Sequence, residues 1–132
     1  MLGWLLGEPR ADLVRHALSR AELVLASDLT LIECDRILIR RQAAGGLSGA
    51  DAMGRHGALV AAARRWSLMR IEGDVIERAR RPFPVEPVRT LDALHLSSAL
   101  VASAWVADLA LLSLDERVRT AARALGLPIV PA

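Results

Sequence analysis

Residues 109–130 read LALLSLDERVRTAARALGLPIV, and this stretch decides the fold. It begins with an apolar run at residues 109–112, continues with an amphipathic segment at 115–125 and ends with Pro128-Ile129-Val130. Short, wholly apolar runs separated by helical segments are typical of parallel strands that are covered on both faces. The stretch therefore predicts a strand, a helix and a strand within an α/β layered fold.

The same alternation extends upstream. Apolar runs predict a strand at residues 23–26 and a second strand at 67–71. Ser27 or Asp28 is placed to cap the helix that follows the first strand, and Gly45 with Gly46 is placed to end that helix. Ser48, with Asp51 three residues later, opens the next helix. The predicted helices cover residues 10–21, 28–43, 48–66, 73–81, 90–105 and 115–125, with a further short helical piece at 1–6.

Length and composition exclude several classes of protein. The chain has 132 residues, of which 53% are hydrophobic and 24% charged, so one folded domain over residues 1–132 is expected rather than disorder. No apolar run reaches the roughly 18 residues needed to span a bilayer, and no leader peptide is recognisable. Cys34 is the only cysteine, which excludes a disulfide framework or a multi-cysteine zinc site. A cytoplasmic protein without membrane contact is expected.

The basic side chains are unusual in kind, since all 17 are arginine. The net charge is only +2, so charge alone does not identify a nucleic-acid binder. Clusters at Arg40-Arg41, at Arg64-Arg65 and at residues 78–81 could contact phosphate groups. A solvated helix face is the commoner explanation of each pair taken alone.

Three acidic residues fall near the predicted carboxyl edge of the sheet, where ligands of open α/β folds gather. Asp115 follows the strand at 109–112, Asp92 lies in the first turn of its helix, and Glu33 lies early in the helix after the first strand. Each acid alone can be explained as a helix cap or a favourable partner of the helix dipole. Glu116 completes a Ser-x-x-Glu pattern and is interpreted as a cap only.

The joint placement of the acids indicates a metal site. Three carboxylates that share one point repel each other by several kcal/mol, so such a cluster needs a cation or a raised proton affinity. Ligand sets made only of oxygen select Mg²⁺ or Mn²⁺. The chemistry that such a site supports is hydrolysis of phosphate esters.

These residues also carry a family resemblance. Glu33 in LTLIEC, Asp92 in RTLDALHLSSA, Asp115 in LLSLDER and the ending ALGLPIV resemble the PIN-domain ribonucleases, in particular the VapC-type toxins. The resemblance spans essentially the whole chain. It implies a PIN-like three-layer sandwich and a Mg²⁺- or Mn²⁺-dependent RNA endonuclease, usually a homodimer, that a small antitoxin protein neutralises.

The chain departs from the family pattern at its start. The family opens with a central strand that ends in an aspartate, and here the chain begins after that point. Its residues 5–9, LLGEP, are similar to the piece that usually follows the family's first strand. Either a start codon assigned too far downstream or a truncated copy explains the difference. Because the aspartate that would close the metal cage is missing, weak activity is expected of this chain. Because two apolar strands would lose their shared neighbour, poor solubility or self-association is expected as well.

Two hypotheses from different classes follow. In the first, Glu33, Asp92 and Asp115 are the catalytic metal ligands of a ribonuclease, and Ser113 orients Asp115 through its hydroxyl. In the second, a PIN-like module binds RNA or the antitoxin but lacks catalysis. An unrelated doubly wound phosphatase or receiver-like domain also fits the fold, although it lacks the acidic pattern. Cys34 is not expected to be a nucleophile, since no histidine is in local register.

Overall fold

The computed structural model describes residues 9–132, so the predicted helical piece at 1–6 lies outside the described residues. The described part is α/β and mostly helical, with parallel strand pairs. It divides into two compact units, the first ending at Met69 and the second beginning at Arg70. The elements are α1 (Ala11–Arg20), β1 (Leu25–Ser27), α2 (Asp28–Ala43), α3 (Gly49–Ala63), β2 (Ser67–Met69), α4 (Gly73–Ala79), α5 (Thr90–Ser103), β3 (Leu111–Leu112), α6 (Glu116–Ala124) and β4 (Ile129–Val130).

The first unit joins the parallel strands β1 and β2 through the hairpin of α2 and α3. Leu25 is paired with Ser67, and the amide of Ser67 donates to the carbonyl of Val24 at 2.9 Å. The hairpin buries Cys34 and Leu38 of α2 against Leu59 of α3, with the partly buried Leu31, Leu47 and Trp66 around them. This apolar contact holds the two helices together between the strands.

The ends of the two hairpin helices follow the predicted signals. Gly45 adopts a left-handed conformation with φ of +80°, which glycine reaches without the clash of a β-carbon. The amide of Gly46 then donates back to the carbonyl of Arg41 at 2.9 Å, which closes the end of α2. At the start of α3, the hydroxyl of Ser48 accepts the amide of Asp51 at 3.0 Å. The predicted stop and cap are both confirmed.

The second unit joins the parallel strands β3 and β4 through α6, so the strand–helix–strand prediction for residues 109–130 is confirmed. The pairing is short, with Leu111 beside Ile129 and Leu112 beside Val130. The core of this unit consists of residues from α5, α6 and the loops beside them, namely Phe83, Ala93, Leu96, Ala99, Val118, Ala121, Ala122 and Leu127.

The proline-rich loop before α5 is held by one carboxylate. Glu86 accepts the amide of Phe83 at 2.8 Å and the amide of Val88 at 2.7 Å through its two oxygens. The turn places the ring of Phe83 in the core, where the guanidinium of Arg78 lies 4.4 Å from the ring centroid. Glu86 and Arg78 therefore fix the segment that leads into α5.

Some predicted boundaries were wrong. The first strand lies at residues 25–27 rather than 23–26, because Val24 to Ser27 carries the pairing to β2 while Leu23 is exposed. The third strand shortens to Leu111–Leu112, the only part of the apolar run that pairs with β4. Trp105 follows the end of α5 and is 85% exposed. No helix within residues 9–132 is long and apolar enough to cross a bilayer.

Candidate functional site

Asp115 lies three residues after β3 and is the N-cap of α6. Its Oδ1 accepts the amide of Arg117 at 2.8 Å, so the carboxylate supplies one of the acceptors that the start of the helix needs. The side chain is exposed at this position. Asp115 is therefore held in a fixed orientation near the carboxyl end of β3. Its role as a helix cap is by itself sufficient to explain an aspartate at this position.

Ser113 contacts Asp115 in a way that differs from the predicted one. The hydroxyl of Ser113 accepts the backbone amide of Asp115 at 3.2 Å, and no contact with the carboxylate is seen among the described residues. Such a turn fixes the backbone between the strand and the helix. Ser113 therefore positions Asp115 through its main chain, and its hydroxyl does not orient the acid group directly.

Arg119 is a residue that sequence reasoning missed. It is only 5% exposed, and its Nη1 donates to the carbonyls of Ser113 at 2.8 Å and Pro131 at 2.9 Å. Ser113 follows β3 and Pro131 follows β4, so one buried guanidinium ties together the carboxyl ends of both strands. The sequence signal that could have indicated the burial of Arg119 is its position next to Val118, beside the apolar positions of α6.

Glu116 neutralises part of this buried charge. Its Oε1 lies 3.2 Å from Nε of Arg119, an ion pair without hydrogen-bond alignment, and its Oε2 lies 3.8 Å from Nη1 of Arg123. The carboxylate is thus used in ion pairs along α6. The contacts seen do not include the cap that the sequence pattern predicted for Glu116.

Asp92 lies in the first turn of α5 and is half-buried. The residue after it, Ala93, is buried in the core of the second unit, and its amide donates to the carbonyl of Arg89 at 2.8 Å. His95 follows one turn later on the same helix and is also half-buried. Packing of α5 therefore fixes the backbone from which Asp92 extends.

Glu33 belongs to the first unit. It is half-buried in the second turn of α2, directly before the buried Cys34. Ser27 is the N-cap of this helix, but its side chain makes no capping bond, and its buried Oγ has no hydrogen-bond partner in the described part of the chain. Ser27 therefore occupies the predicted N-cap position, but its hydroxyl makes no capping hydrogen bond.

Cys34 is fully buried in the core of the first unit. Burial, through loss of solvation of the thiolate, raises the pKa of Cys34 from 9.0 to about 11. A thiol with such a pKa is almost wholly protonated at neutral pH and is a poor nucleophile. The raised pKa thus agrees with the expectation that Cys34 is not a nucleophile.

The arginine clusters differ in availability. Arg78 is used internally, since its Nη1 lies 3.3 Å from the carbonyl of Pro82 and its guanidinium covers Phe83. Arg81 forms an ion pair with Glu77 at 3.6 Å. Arg64 and Arg65 are exposed at the end of α3, as is Arg40 near the end of α2. Arg80 is exposed as well, so each of the three clusters offers at least one exposed arginine to an anionic partner.

The predicted metal ligands lie in different units, Glu33 in the first and Asp92 with Asp115 in the second. Among residues 9–132, no group of three or more acidic, histidine or cysteine side chains is placed to hold a metal ion. The described residues therefore do not by themselves form a cage for Mg²⁺ or Mn²⁺. Convergence of the three carboxylates stays a prediction.

Comparisons with known proteins add no family assignment. No protein-family model matches the chain, and no curated protein matches it either.

Proposed function

We propose that this chain is a PIN-like, metal-dependent endoribonuclease that hydrolyses RNA phosphodiester bonds as the toxin of a type II toxin–antitoxin pair. The observation that supports the proposal is the same in both units. In each, an acidic residue lies on the helix that follows a parallel strand: Glu33 in the second turn of α2, after β1, and Asp115 at the N-cap of α6, after β3. The carboxyl end of a strand is where α/β folds bind their ligands.

The second unit supplies two of the proposed ligands from rigid elements. Asp115 is fixed by Ser113 and by the amide of Arg117, and Asp92 extends from a helix whose next residue is in the core. Rigid support of this kind is what a catalytic carboxylate requires. Oxygen donors of this type are those that Mg²⁺ or Mn²⁺ prefers, and one of these ions is the proposed cofactor.

The remaining roles follow from charge. The exposed Arg40, Arg64 and Arg65 are proposed to hold the phosphates of the RNA backbone, so binding should weaken as salt increases. A small antitoxin protein and a second copy of the chain are the proposed protein partners, and the cytoplasm is the proposed compartment.

Replacement of Asp92 by asparagine tests the proposal. Asparagine keeps the size of the side chain but removes one charge of the proposed ligand set, so Mn²⁺-dependent cleavage of a mixed RNA substrate should fall at least tenfold. Asp74→Asn is the matched control, because Asp74 is also a first-turn acid, in α4 of the same unit. Cleavage by Asp92→Asn at the rate of the Asp74→Asn control would contradict the assignment.

A second candidate function is a non-catalytic module that binds RNA or the antitoxin. The observation that favours it is the lack, within residues 9–132, of three grouped ligands for a metal ion. This candidate predicts RNA binding without metal-dependent cleavage. Electrophoretic mobility shift and cleavage assays on the same RNA, with and without Mn²⁺, separate the two functions.

A further inference from the structure

A hydrogen bond between Asp35 and His56 joins the two helices of the hairpin. Nδ1 of His56, on α3, lies 2.8 Å from Oδ1 of Asp35, on α2. An ionised carboxylate only accepts hydrogen bonds, so Nδ1 carries the proton and the neutral ring keeps its lone pair on Nε2. The side chain of His56 is 55% exposed, and Nε2 has no hydrogen-bond partner among residues 9–132. His56 therefore offers an unprotonated nitrogen to a ligand.

Met53 lies three residues before His56 on α3 and is 78% exposed. Residues three apart on a helix are neighbours, with β-carbons about 5–6 Å apart, and helical side chains lean toward the preceding turn. The apolar core of the first unit takes Leu59 from α3 and does not include Met53. The sulfur of Met53 and Nε2 of His56 can therefore reach one common point on an exposed side of the helix.

We propose that Met53 and His56 bind one Cu⁺ ion, with Asp35 as the positioning residue. Thioether sulfur is a soft donor that selects Cu⁺, and imidazole nitrogen also binds copper. Because Cu⁺ forms stable complexes with two ligands, this pair is a sufficient set. The hydrogen bond to Asp35 fixes the orientation of the His56 ring and strengthens Nε2 as a donor, as carboxylates commonly do behind metal-bound histidines.

Other metal ions fit this pair less well. Mg²⁺ and Mn²⁺ prefer oxygen ligands to thioether sulfur. Zn²⁺ sites use three or four protein ligands, whereas the part of the chain that the structure describes has no group of three or more histidine, cysteine or acidic side chains placed to hold a metal ion. Cys34 is a further soft donor of the first unit, but it is fully buried, and its raised pKa of about 11 keeps it protonated at neutral pH. The exposed donor set therefore selects a soft monovalent ion.

Titration with Ag⁺, a redox-stable substitute for Cu⁺, tests the site on the full chain. The protein is labelled with ¹³C in its methionine methyl groups, and the NMR signal of Met53 is assigned as the one that Met53→Leu lacks. Silver nitrate in chloride-free buffer should shift this signal until one equivalent is bound, because the sulfur is a direct ligand. The signal of Met69, half-buried in β2, is the internal control and should not move. An unshifted Met53 signal would overturn the proposal.

Variants of the histidine and of its hydrogen-bond partner test the nitrogen ligand. His56→Gln should weaken Ag⁺ binding by roughly tenfold or more, whereas His16→Gln, at an exposed histidine of α1, is the control and should leave it unchanged. Asp35→Ala should weaken binding by about tenfold and move the ring proton of His56 toward Nε2, which the ¹⁵N shifts of the ring report. A structural role of Asp35 alone would leave that proton on Nδ1. Equal affinities of the two histidine variants would overturn the assignment of His56.

The buried thiol is the competing site for Ag⁺, and Cys34→Ala separates it from the proposed one. The Met53 shift should persist in this variant, since the thiol takes no part in the proposed site. Binding that disappears in Cys34→Ala but survives in His56→Gln would assign the ion to the thiol and overturn the proposal. None of these measurements uses RNA or Mn²⁺, so the outcome is independent of the proposed function.

Discussion

The two strand–helix junctions of this protein, β1 to α2 and β3 to α6, differ in how their polar groups are satisfied. At the second junction, Ser113 accepts an amide, Asp115 caps the helix and Arg119 binds the carbonyls after both strands. At the first, the hydroxyl of Ser27 is buried without a hydrogen-bond partner in the described residues. A buried polar group left unpaired costs about 1–3 kcal/mol. Among the described residues, the polar groups named at the second junction are paired, whereas the unpaired hydroxyl at the first junction lowers stability locally.

The largest effect is expected from removing the buried cation of the second junction. Arg119→Met keeps much of the apolar stem but leaves the carbonyls of Ser113 and Pro131 without their donor. We expect a loss of about 3 kcal/mol in the free energy of unfolding, measured by urea denaturation. Arg123→Met, an exposed change on the same helix, should alter it by less than about 0.5 kcal/mol. Equal effects would show that Arg119 does not hold the junction.

The first unit instead carries a buried group that titrates. Because the pKa of Cys34 rises from 9.0 to about 11 on folding, the folded state retains its proton longer than the unfolded state does. Stability should therefore be complete below pH 9 and fall between pH 9 and 11, by about 2–3 kcal/mol in total. Cys34→Ala should lack this component, so the difference between the two urea profiles isolates it. Parallel profiles across this pH range would contradict the assignment.

A smaller effect separates the two possible roles of Asp115. Asp115→Ala removes the cap of α6 and should cost about 1 kcal/mol, whereas Asp115→Asn keeps a capping oxygen and should cost little. If Asp115 is also a metal ligand, both variants should lose Mn²⁺-dependent cleavage. Thermal unfolding and RNA cleavage, measured on the same preparations, distinguish the roles. Retained cleavage in Asp115→Asn would leave the cap as its only role.

The smallest effect is expected at the first junction. Ser27→Ala removes a hydroxyl that makes no hydrogen bond within residues 9–132, so stability should be unchanged or rise by up to about 1 kcal/mol. The matched change Ser113→Ala removes a hydroxyl that does accept an amide, and it should cost about 0.5–1 kcal/mol. Opposite signs for the two serines in urea denaturation would confirm the difference between the junctions.

Local signals predicted much of this structure. The left-handed Gly45, the cap at Ser48 and the strand–helix–strand order of residues 109–130 depend on contacts within a few residues, so the sequence carries them. Arg119 could not be predicted in the same way, because its burial depends on where Pro131 lies relative to Ser113.

The candidate site shows the same limit. The positions of Glu33, Asp92 and Asp115 on their elements follow from the pattern of strands and helices. Their mutual distances depend on how two units pack, which no short sequence pattern encodes. Ser113 illustrates the difference. A contact between its hydroxyl and Asp115 was predicted, but the hydroxyl accepts the backbone amide of Asp115 rather than contacting its carboxylate.

The different surroundings of Trp66 and Trp105 provide an optical means to follow unfolding of the first unit. Trp66 packs against the core of the first unit, and Trp105 extends into solvent from the second. Their fluorescence emission should therefore differ in wavelength, with Trp105 at the longer wavelength and more readily quenched by acrylamide. In a variant with Trp105 replaced by phenylalanine, the change in tryptophan fluorescence on unfolding would report the first unit and not the second. Trp66 thus reports unfolding of the first unit, whereas Trp105, already exposed in the folded state, reports little on unfolding of the second.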